Sequence, residues 1–244
     1  EMCIRDSIAL NTLGTIIHGT LEALHTPLID KFLSAEDIKN CIKLIDQEVL
    51  KQFKEVYKEG EIKKGRNLLA FEVAKRNVLN FLRLELQEIE GGDAVKIIAL
   101  EKTYERILEH PSLPFPVLIK GNVDRIELRN GKIRIIDYKT GKVEARDVSL
   151  KQWNKLTSDI KSDKIIQVLA YAFMYEPHLQ NQEMEVGIIS FKNLKSGFLP
   201  FNFKMEKTII STVNEEIAEN YIEQLVVLLN EILDVEIPFE EKKI

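Results

Sequence analysis

The stretch that decides the fold runs from Gly121 to Gly141 and reads G-N-V-D-R-I-E-L-R-N-G-K-I-R-I-I-D-Y-K-T-G. Its Asn130-Gly131 dipeptide lies between two runs rich in strand-forming residues. Asn-Gly in that setting is the strongest short signal for a β-hairpin with a two-residue turn. If these two residues form the turn, Arg129 faces Lys132 and the register of the whole hairpin follows.

This register brings two acidic side chains together. It places Asp124 opposite Asp137, and because side chains alternate along a strand, that pair shares one face with its second neighbours. The pairs on that face are Leu128–Ile133, Ile126–Ile135, Asp124–Asp137 and Asn122–Lys139, and those on the other are Glu127–Arg134, Arg125–Ile136 and Val123–Tyr138. The sequence therefore predicts two aspartates and a lysine above an apolar floor.

Directly opposed carboxylates repel each other, and an apolar layer beneath them screens the repulsion only weakly. A divalent cation held between Asp124 and Asp137 compensates for this repulsion, because hard carboxylate oxygens are its preferred ligands. The alternative is that both aspartates point to solvent or share a proton, with Lys139 as an ion-pair partner. The metal site is the interpretation that we favour.

The composition excludes several classes of protein. The chain has 244 residues, 45 % apolar and 30 % charged, with a net charge of −5, which is ordinary for a soluble globular protein. No apolar run is long enough to span a bilayer, so we expect no membrane association. Two cysteines, Cys3 and Cys41, form no disulfide framework and favour a reducing cytoplasm. Between Lys120 and Lys155, ten basic residues against five acidic ones give a local excess of +5, as a nucleic-acid ligand requires.

Helical patterns fill the first third of the chain, and strand patterns dominate the middle. Residues 1–7 show no periodicity and are interpreted as a terminal scar, whereas residues 8–244 are predicted to form a single domain. Its parts are a helical segment (8–92), a sheet core (93–205), and a C-terminal helix and tail (206–244). The predicted helices cover about residues 8–28, 34–58, 67–90, 163–175 and 212–233, and the strands outside the hairpin cover 94–108, 184–191 and 198–203. This order indicates an α/β fold with a sheet flanked by helices.

Several side chains outside the hairpin are candidates for the site or for nucleic acid. His18, Glu22 and His25 lie at helical spacing on one polar stripe, but a lone helical histidine is more often a surface residue or a satisfied one than a ligand. If the resemblance described below makes His18 a ligand, Glu22 is placed to orient its imidazole, and His25 is expected at the surface. Gln167 and Tyr171 share one face of the helix over 163–175. Arg125, Lys142 and Trp153 are candidate nucleic-acid contacts, although for Trp153 packing against the core is favoured over stacking on a base. Gly60 and Gly65 have P-loop spacing, but Arg66-Asn67 stand where Lys-Ser/Thr is needed, which excludes that motif.

Four blocks of sequence together resemble a known family: G-T-I-I-H-G-T-L-E (14–22), G-N-V-D-R-I (121–126), I-I-D-Y-K-T-G (135–141) and Q-V-L-A-Y (167–171). Their types and order resemble the RecB-like nuclease domains at the C-terminal ends of AddB- and RecB-type repair proteins, within the PD-(D/E)XK superfamily. The resemblance implies a restriction-endonuclease-like core with a mixed central sheet flanked by helices.

The resemblance also implies roles for individual residues. His18, Asp124, Asp137 and the backbone carbonyl of Tyr138 would bind Mg²⁺ or Mn²⁺. Lys139 would position the attacking water and steady charge on the phosphate. Gln167 and Tyr171 would brace the site, and Glu101 occupies the place of a strand glutamate found in many members. The two carboxylates near Lys139 would keep it charged, which favours a role as electrostatic stabiliser over one as neutral base.

The expected activity is that of a metal-dependent DNA phosphodiesterase, an exonuclease acting on DNA ends in recombination and repair, with a helicase subunit or domain as a possible partner. The alternative is a catalytically silent nuclease-like module that binds DNA or serves as a scaffold; such modules usually lack the His, Asp or Lys retained here. An RNase also stays open, since nothing in the sequence reads a 2′-hydroxyl. Many relatives carry four cysteines that bind an iron–sulfur cluster. No cysteine follows Cys41, so we expect no cluster within this chain and interpret it as a fragment of a longer protein.

Overall fold

The computed structural model describes residues 10–56, 65–205, 208–236 and 238. The proposed scar, the first residues of the first predicted helix, Gly60 and the end of the tail lie outside these ranges. The helices are α1 (Leu10–His25), α2 (Ala35–Val56), α3 (Gly65–Glu90), α4 (Lys155–Ser158), α5 (Asp163–Tyr175) and α6 (Glu215–Leu233). The strands are β1 (Val95–Leu108), β2 (Val117–Arg129), β3 (Lys132–Lys139), β4 (Ser149–Leu150), β5 (Met184–Ser190), β6 (Phe198–Pro200), β7 (Asn202–Lys204) and β8 (Ile209–Ile210).

The central hairpin forms at the predicted turn. Asn130 and Gly131 have φ angles of 51° and 85°, as a type I′ turn requires. Strands β2 and β3 pair in the predicted register from Arg129–Lys132 to Arg125–Ile136. The Asn130 side chain ties the turn to the start of β1, because its Oδ1 accepts a hydrogen bond from the Ala94 amide at 2.9 Å. Turn chemistry alone was therefore sufficient to place this hairpin.

The fold is a mixed sheet between two layers of helices, as expected from the sequence. Five strands lie in the order β1-β2-β3-β5-β6, with β3 and β5 parallel and the other neighbours antiparallel. Helices α1, α2 and α3 pack on one face and bury a cluster that includes Ile17, Phe53 and Ile136. On the opposite face, α5 and α6 pack over a cluster that includes Ile126 and Ile135. None of the helices in the described ranges has the length and apolar character of a membrane-spanning segment.

Local capping and turn signals gave the helix boundaries to within a few residues. Ser34 and Asp37 form a capping box, in which the Ser34 amide donates to Asp37 Oδ2 at 2.9 Å and the Asp37 amide donates to Ser34 Oγ at 3.2 Å. The predicted strand over 198–203 is wrong as a single element. Its first part, β6, joins the central sheet, whereas β7 pairs with β4 and β8 in a separate three-stranded sheet. The break falls at the buried Phe201 between them.

The β2 strand is irregular where it reaches the proposed site. Asp124 approaches His18 on α1, and the next residue, Arg125, reaches Glu85 on α3, although both helices lie on the same side of the sheet. Regular alternation would send neighbouring side chains to opposite faces. The recorded pairing with β3 accordingly ends at Arg125, so the predicted direct opposition of Asp124 and Asp137 is wrong.

Because β2 is irregular here, two more of the predicted cross-strand pairs are not formed. Val123 packs in the cluster beneath α5, whereas Tyr138 packs in the cluster beneath α1 and α3, so these two side chains do not share a face. Asn122 donates a hydrogen bond to Glu101 at 2.7 Å, and Lys139 instead contacts Asp137 and Gln167. The predicted Asn122–Lys139 pair is therefore absent from the ladder that the structure records.

A buried ionic network lies between the sheet and α3. Arg125 Nη2 is 2.6 Å from Glu85 Oε1 and 2.7 Å from Glu127 Oε2, and all three side chains are at most 2 % exposed. His25 Nε2 contacts the other oxygen of Glu85 at 2.8 Å, and Arg129 Nε donates to Glu127 at 2.7 Å. The expectation of a surface His25 is wrong, and so is that of Arg125 as a nucleic-acid contact. Both side chains are enclosed by partners that come from distant parts of the chain.

This network should make stability depend on pH in the acid range. Although burial alone would raise them, the charge of Arg125 holds the pKa values of Glu85 and Glu127 below their ordinary range. A carboxyl with a depressed pKa in the folded state stabilises the fold above its unfolded pKa of about 4.3, and this contribution is lost as pH falls. Below that pH we expect each group to lower the free energy of unfolding by roughly 1.4 kcal/mol per pH unit.

Urea unfolding measured between pH 3 and pH 7 tests this dependence. The Glu85→Gln variant lacks one of the two titrating groups, so its curve should fall less steeply than that of the wild type below pH 4.5. Parallel curves for the two proteins across this range would contradict the assignment.

Candidate metal centre

Three side chains from three different elements converge on one point. His18 lies on α1, Glu101 on β1 and Asp124 on β2, and one potential ligand atom from each lies within 4.8 Å of the others. His18 Nδ1 is 3.3 Å from Glu101 Oε1 and 3.6 Å from Asp124 Oδ1. One imidazole nitrogen with carboxylate oxygens is a donor set that suits Mg²⁺ and, because of the nitrogen, Mn²⁺ even better.

Glu101 occupies this cluster at the cost of an unusual backbone conformation. Its φ angle is 42°, although it lies inside the 14-residue strand β1 and is neither glycine nor asparagine. Such conformations cost on the order of 1 kcal/mol or more, and they occur most often at functional sites. The Asn122 side chain donates to Glu101 Oε2 at 2.7 Å and orients the carboxylate. The sequence placed Glu101 beside the site, and the structure brings it into the cluster itself.

His18 is held by charge on one side and by packing on the other. Burial by itself lowers the pKa of His18, but hydrogen bonds and charge from Asp124 and Glu101 raise it to about 10. The Tyr138 ring meets the imidazole edge to face, with the ring centroids 5.7 Å apart. The two carboxylates therefore favour the protonated form of the imidazole. It can bind a metal only after losing that proton.

A chain of hydrogen bonds extends from Asp137 to α5. Lys139 Nζ donates to Asp137 Oδ1 at 3.1 Å and to Gln167 Oε1 at 2.8 Å. The Gln167 side chain amide in turn donates to the Tyr171 hydroxyl at 2.7 Å. Gln167 and Tyr171 lie one helical turn apart, so a single helix face positions the lysine ammonium. Gln167 thus contacts Lys139 directly and Tyr171 contacts Gln167, and the bracing role that the resemblance implies for them stays a prediction.

Asp137 carries an acceptor that the protein leaves unused. Lys139 Nζ is 2.8 Å from Oδ2, but its hydrogen bond is directed to Oδ1. The buried Oδ2 atom has no hydrogen-bond partner within the described ranges. Burial, together with the charge of Asp124, raises the pKa of Asp137 to about 6. An unsatisfied carboxylate oxygen beside the three-residue cluster fits a divalent cation, which would satisfy the acceptor and stabilise the ionised form.

The comparison with known families agrees with this geometry. The family model of the PD-(D/E)XK nuclease superfamily matches residues 2–243, which is nearly the whole chain. The chain belongs to the PD-(D/E)XK nuclease superfamily. Members of this superfamily are nucleases that hydrolyse phosphodiester bonds and generally depend on divalent metal ions. A search among curated proteins finds no match to the chain.

The PD-(D/E)XK assignment agrees with a divalent-metal site at this cluster. Asp124 lies in the irregular part of β2, and Asp137 and Lys139 lie in the order D-x-K at the end of β3. Asp124 also fixes the approach of the two strands, because its Oδ2 accepts a hydrogen bond from the Tyr138 amide at 2.6 Å. Ligation by the Tyr138 carbonyl stays a prediction.

Not every predicted site residue joins this PD-(D/E)XK centre. Glu22 is exposed, and no hydrogen bond between it and His18 is recorded within the described ranges; its role in orienting the imidazole stays a prediction. Lys142 is exposed and pairs with Glu144. Trp153 stacks on Phe203 with centroids 5.0 Å apart, in agreement with the favoured packing interpretation. Whether Lys142 or Trp153 touches nucleic acid stays a prediction.

Sequence reasoning missed two residues that shape the nuclease site. Glu85 binds His25 and Arg125 and so links the His18 helix to the Asp124 strand. The sequence could have indicated Glu85 because it is an acidic residue on the apolar face of α3, where neighbours such as Phe81 and Leu82 are buried. The second residue is Gly121, where a side chain would meet α5. A methyl group at this position would be crowded, since its Cβ would lie 3.1 Å from Met174 Cε and 3.3 Å from Tyr171 Cε1.

Replacing Gly121 with alanine should therefore lower the activity of the nuclease. The added methyl group pushes on Tyr171, which displaces Gln167 and with it Lys139. We expect a decrease in kcat on the order of tenfold with little change in KM, because small misplacements of catalytic groups mainly affect the chemical step. Steady-state kinetics of the variant test this effect. Gly141→Ala is the control, since its Cβ meets nothing within 4 Å, and an equal loss in both variants would contradict the explanation.

Proposed function

We propose that the chain is a divalent-metal-dependent deoxyribonuclease of the RecB-like type, an exonuclease that degrades DNA from its ends during recombination and repair. The observation that carries this proposal is the convergence of His18, Glu101 and Asp124 beside an Asp137–Lys139 pair. A silent module has no need to keep a strained ligand, an unsatisfied carboxylate and a braced lysine in one place. The combination favours an enzyme over a binding or scaffolding module.

Each side chain has a defined task in this proposal. His18, Glu101, Asp124 and Asp137 would hold Mg²⁺ or Mn²⁺ through one nitrogen and several oxygens. The bound ion lowers the pKa of a coordinated water and stabilises negative charge on the phosphate oxygens. Lys139 adds a fixed positive charge for the same phosphate, and Gln167 holds the ammonium in position. The Tyr138 ring keeps the His18 imidazole in its orientation.

The wider setting of the enzyme is also part of the proposal. The block resemblance to AddB- and RecB-type proteins supports a role beside a helicase, either as a domain of a longer protein or as a partner subunit. We also propose that residues 8–244 form one nuclease domain. A cytoplasmic location is proposed because two cysteines favour a reducing compartment, and no iron–sulfur cluster is proposed within this chain because no cysteine follows Cys41. The preference for DNA rests on the same resemblance.

One assay tests the nuclease proposal. End-labelled single-stranded DNA, end-labelled duplex and closed circular DNA are incubated with the protein and Mg²⁺ or Mn²⁺, with an RNA of the same sequence in parallel. We expect degradation of the linear DNA and survival of the circles. Cleavage of circles would contradict an end-dependent enzyme, preference for RNA would contradict a deoxyribonuclease, and inactivity with every metal would favour the binding module.

Lys139→Ala should reduce this degradation by about 10²–10³-fold, the usual effect of removing one electrostatic stabiliser from an active site. The rate is measured at saturating DNA, so that weaker binding does not account for the loss. Lys132→Ala is the matched control at the other end of β3, where the exposed Lys132 is paired with Glu183 and Glu185. Equal rates in wild type and Lys139→Ala would exclude the proposed role.

A further inference from the structure

A basic groove lies beside the N-terminal end of α5. It has a volume of about 720 Å³ and is formed by the segment that connects β3 to α5. Four basic residues and two acidic residues line it, which gives it a net positive charge. These residues are Arg146, Lys151, Lys155 and Lys161, with Asp147 and Asp159.

Three of the cations in the groove have no acidic partner. Lys151, Lys155 and Lys161 are exposed, and within the described ranges no ion pair joins any of them to a carboxylate. Several other lysines in the described ranges are paired with carboxylates, for example Lys120, Lys132, Lys139, Lys142 and Lys164. The two acidic residues that line the groove also accept hydrogen bonds from nearby backbone amides. Asp159 accepts a hydrogen bond from the Lys161 amide, and Asp147 accepts one from the Glu144 amide.

The backbone that carries these lysines is held in place by the small sheet. Strand β4 pairs with β7, directly before Lys151 in the chain. Ser149 Oγ donates to Asn202 Oδ1 at 2.9 Å, and Trp153 stacks on Phe203. Ser162 Oγ donates to the Lys155 carbonyl at 3.1 Å, which joins the two ends of the groove segment. The groove is thus formed in the free protein, and Trp153 serves it as an anchor.

The groove lies on the segment between β3, which carries Lys139, and α5, which carries Gln167. Ser162 lines it at the start of α5, and Gln167, which binds Lys139, lies five residues further along. At 1.5 Å per residue this is a distance of about 8 Å along the helix axis. The groove segment therefore runs directly into the helix whose Gln167 binds Lys139.

We propose that the groove formed by Lys151, Lys155 and Lys161 binds the phosphate backbone of the nucleic-acid strand that flanks the scissile bond. This inference rests on the proposed function and adds the path by which the strand reaches the centre. The three free ammonium groups neutralise successive phosphates without reading bases. Binding through the groove is therefore independent of sequence and strongly dependent on salt.

The test measures binding without cleavage. A fluorescein-labelled single-stranded 30-mer DNA is titrated with protein in EDTA by fluorescence anisotropy, at several NaCl concentrations. The Lys151→Gln/Lys155→Gln/Lys161→Gln variant should bind on the order of 100-fold more weakly at 0.1 M salt. Its slope of log K against log salt should be less steep by about 2, because each lost contact on a single strand contributes about 0.7.

Two further proteins show that charge in this groove is the cause. The corresponding triple Lys→Arg variant keeps the charges and should bind as the wild type does. Lys51→Gln/Lys54→Gln removes two exposed lysines from α2, on the other side of the sheet, and should leave both affinity and slope unchanged. Unchanged binding in the triple glutamine variant would overturn the proposal. So would an equal loss in the triple arginine variant or in the α2 control.

The groove proposal and the nuclease proposal can be overturned independently of each other. If the wild type cleaves DNA but the glutamine variant binds DNA normally, the groove is overturned and the nuclease stands. If the wild type cleaves neither DNA nor the small phosphodiester bis(p-nitrophenyl) phosphate with any metal, yet binding still depends on the three lysines, the nuclease proposal fails and the groove stands.

Discussion

The Asp124→Asn variant is expected to lose metal-dependent hydrolysis by on the order of 10³-fold, the upper end of what one electrostatic contact supplies in an active site. Asparagine keeps the volume of the side chain and an oxygen that can accept the Tyr138 amide at 2.6 Å. It removes the negative charge that the cluster offers to a cation. The variant should therefore fold normally and fail to bind Mn²⁺, which calorimetric titration of the metal measures directly.

Glu105→Gln is the matched control for this experiment. Glu105 lies on β1 four residues after Glu101, and within the described ranges its carboxylate is paired with the exposed Lys120. Removal of its charge should change neither Mn²⁺ affinity nor the rate of hydrolysis. If Asp124→Asn binds Mn²⁺ as tightly as Glu105→Gln does, the cluster of His18, Glu101 and Asp124 is not the metal site.

The Glu85→Ala variant is expected to lower the free energy of unfolding by about 3–5 kcal/mol, the usual cost of removing one partner from a buried ion pair. Arg125 is 1 % exposed, and its Nη2 atom lies 2.6 Å from Glu85. Without Glu85, His25 loses its carboxylate contact and the Arg125 guanidinium keeps only Glu127 as a partner. Urea unfolding at pH 7 measures the change.

Glu88→Ala provides the comparison for this prediction. Glu88 lies one turn later on α3, and its carboxylate binds Arg129 at 2.9 Å but is 33 % exposed. Arg129 also keeps Asp93 and Glu127 as partners, so this substitution should cost no more than about 1 kcal/mol. Equal destabilisation by the two variants would show that burial does not strengthen the Glu85 contacts.

Local rules account for much of this fold. The Asn130-Gly131 turn determined the register of the hairpin, because a two-residue turn leaves only one pairing for the strands that follow it. Helix α5 was predicted over its observed residues from its helical pattern and the following Pro177. The capping box at Ser34 likewise required only residues four positions apart or fewer. These features need no information from distant parts of the chain.

The details of the metal centre could not be obtained in this way. Asp124 and Arg125 share a side of the sheet because His18 and Glu85, from two different helices, attract them there. Glu101 joins the cluster through a backbone angle that strand propensity does not anticipate. Alternation along a strand is a local average, and buried charges are strong enough to override it.

The sequence by itself thus determined the hairpin, the layered α/β architecture and the set of side chains, His18, Asp124, Asp137 and Lys139, from which the site is built. Only the tertiary structure decided which carboxylates meet His18, which of the cations are buried and which remain free to bind a ligand. The physical reason is that the charge state and burial of a polar side chain depend on its partners, and these partners come together only when distant segments pack.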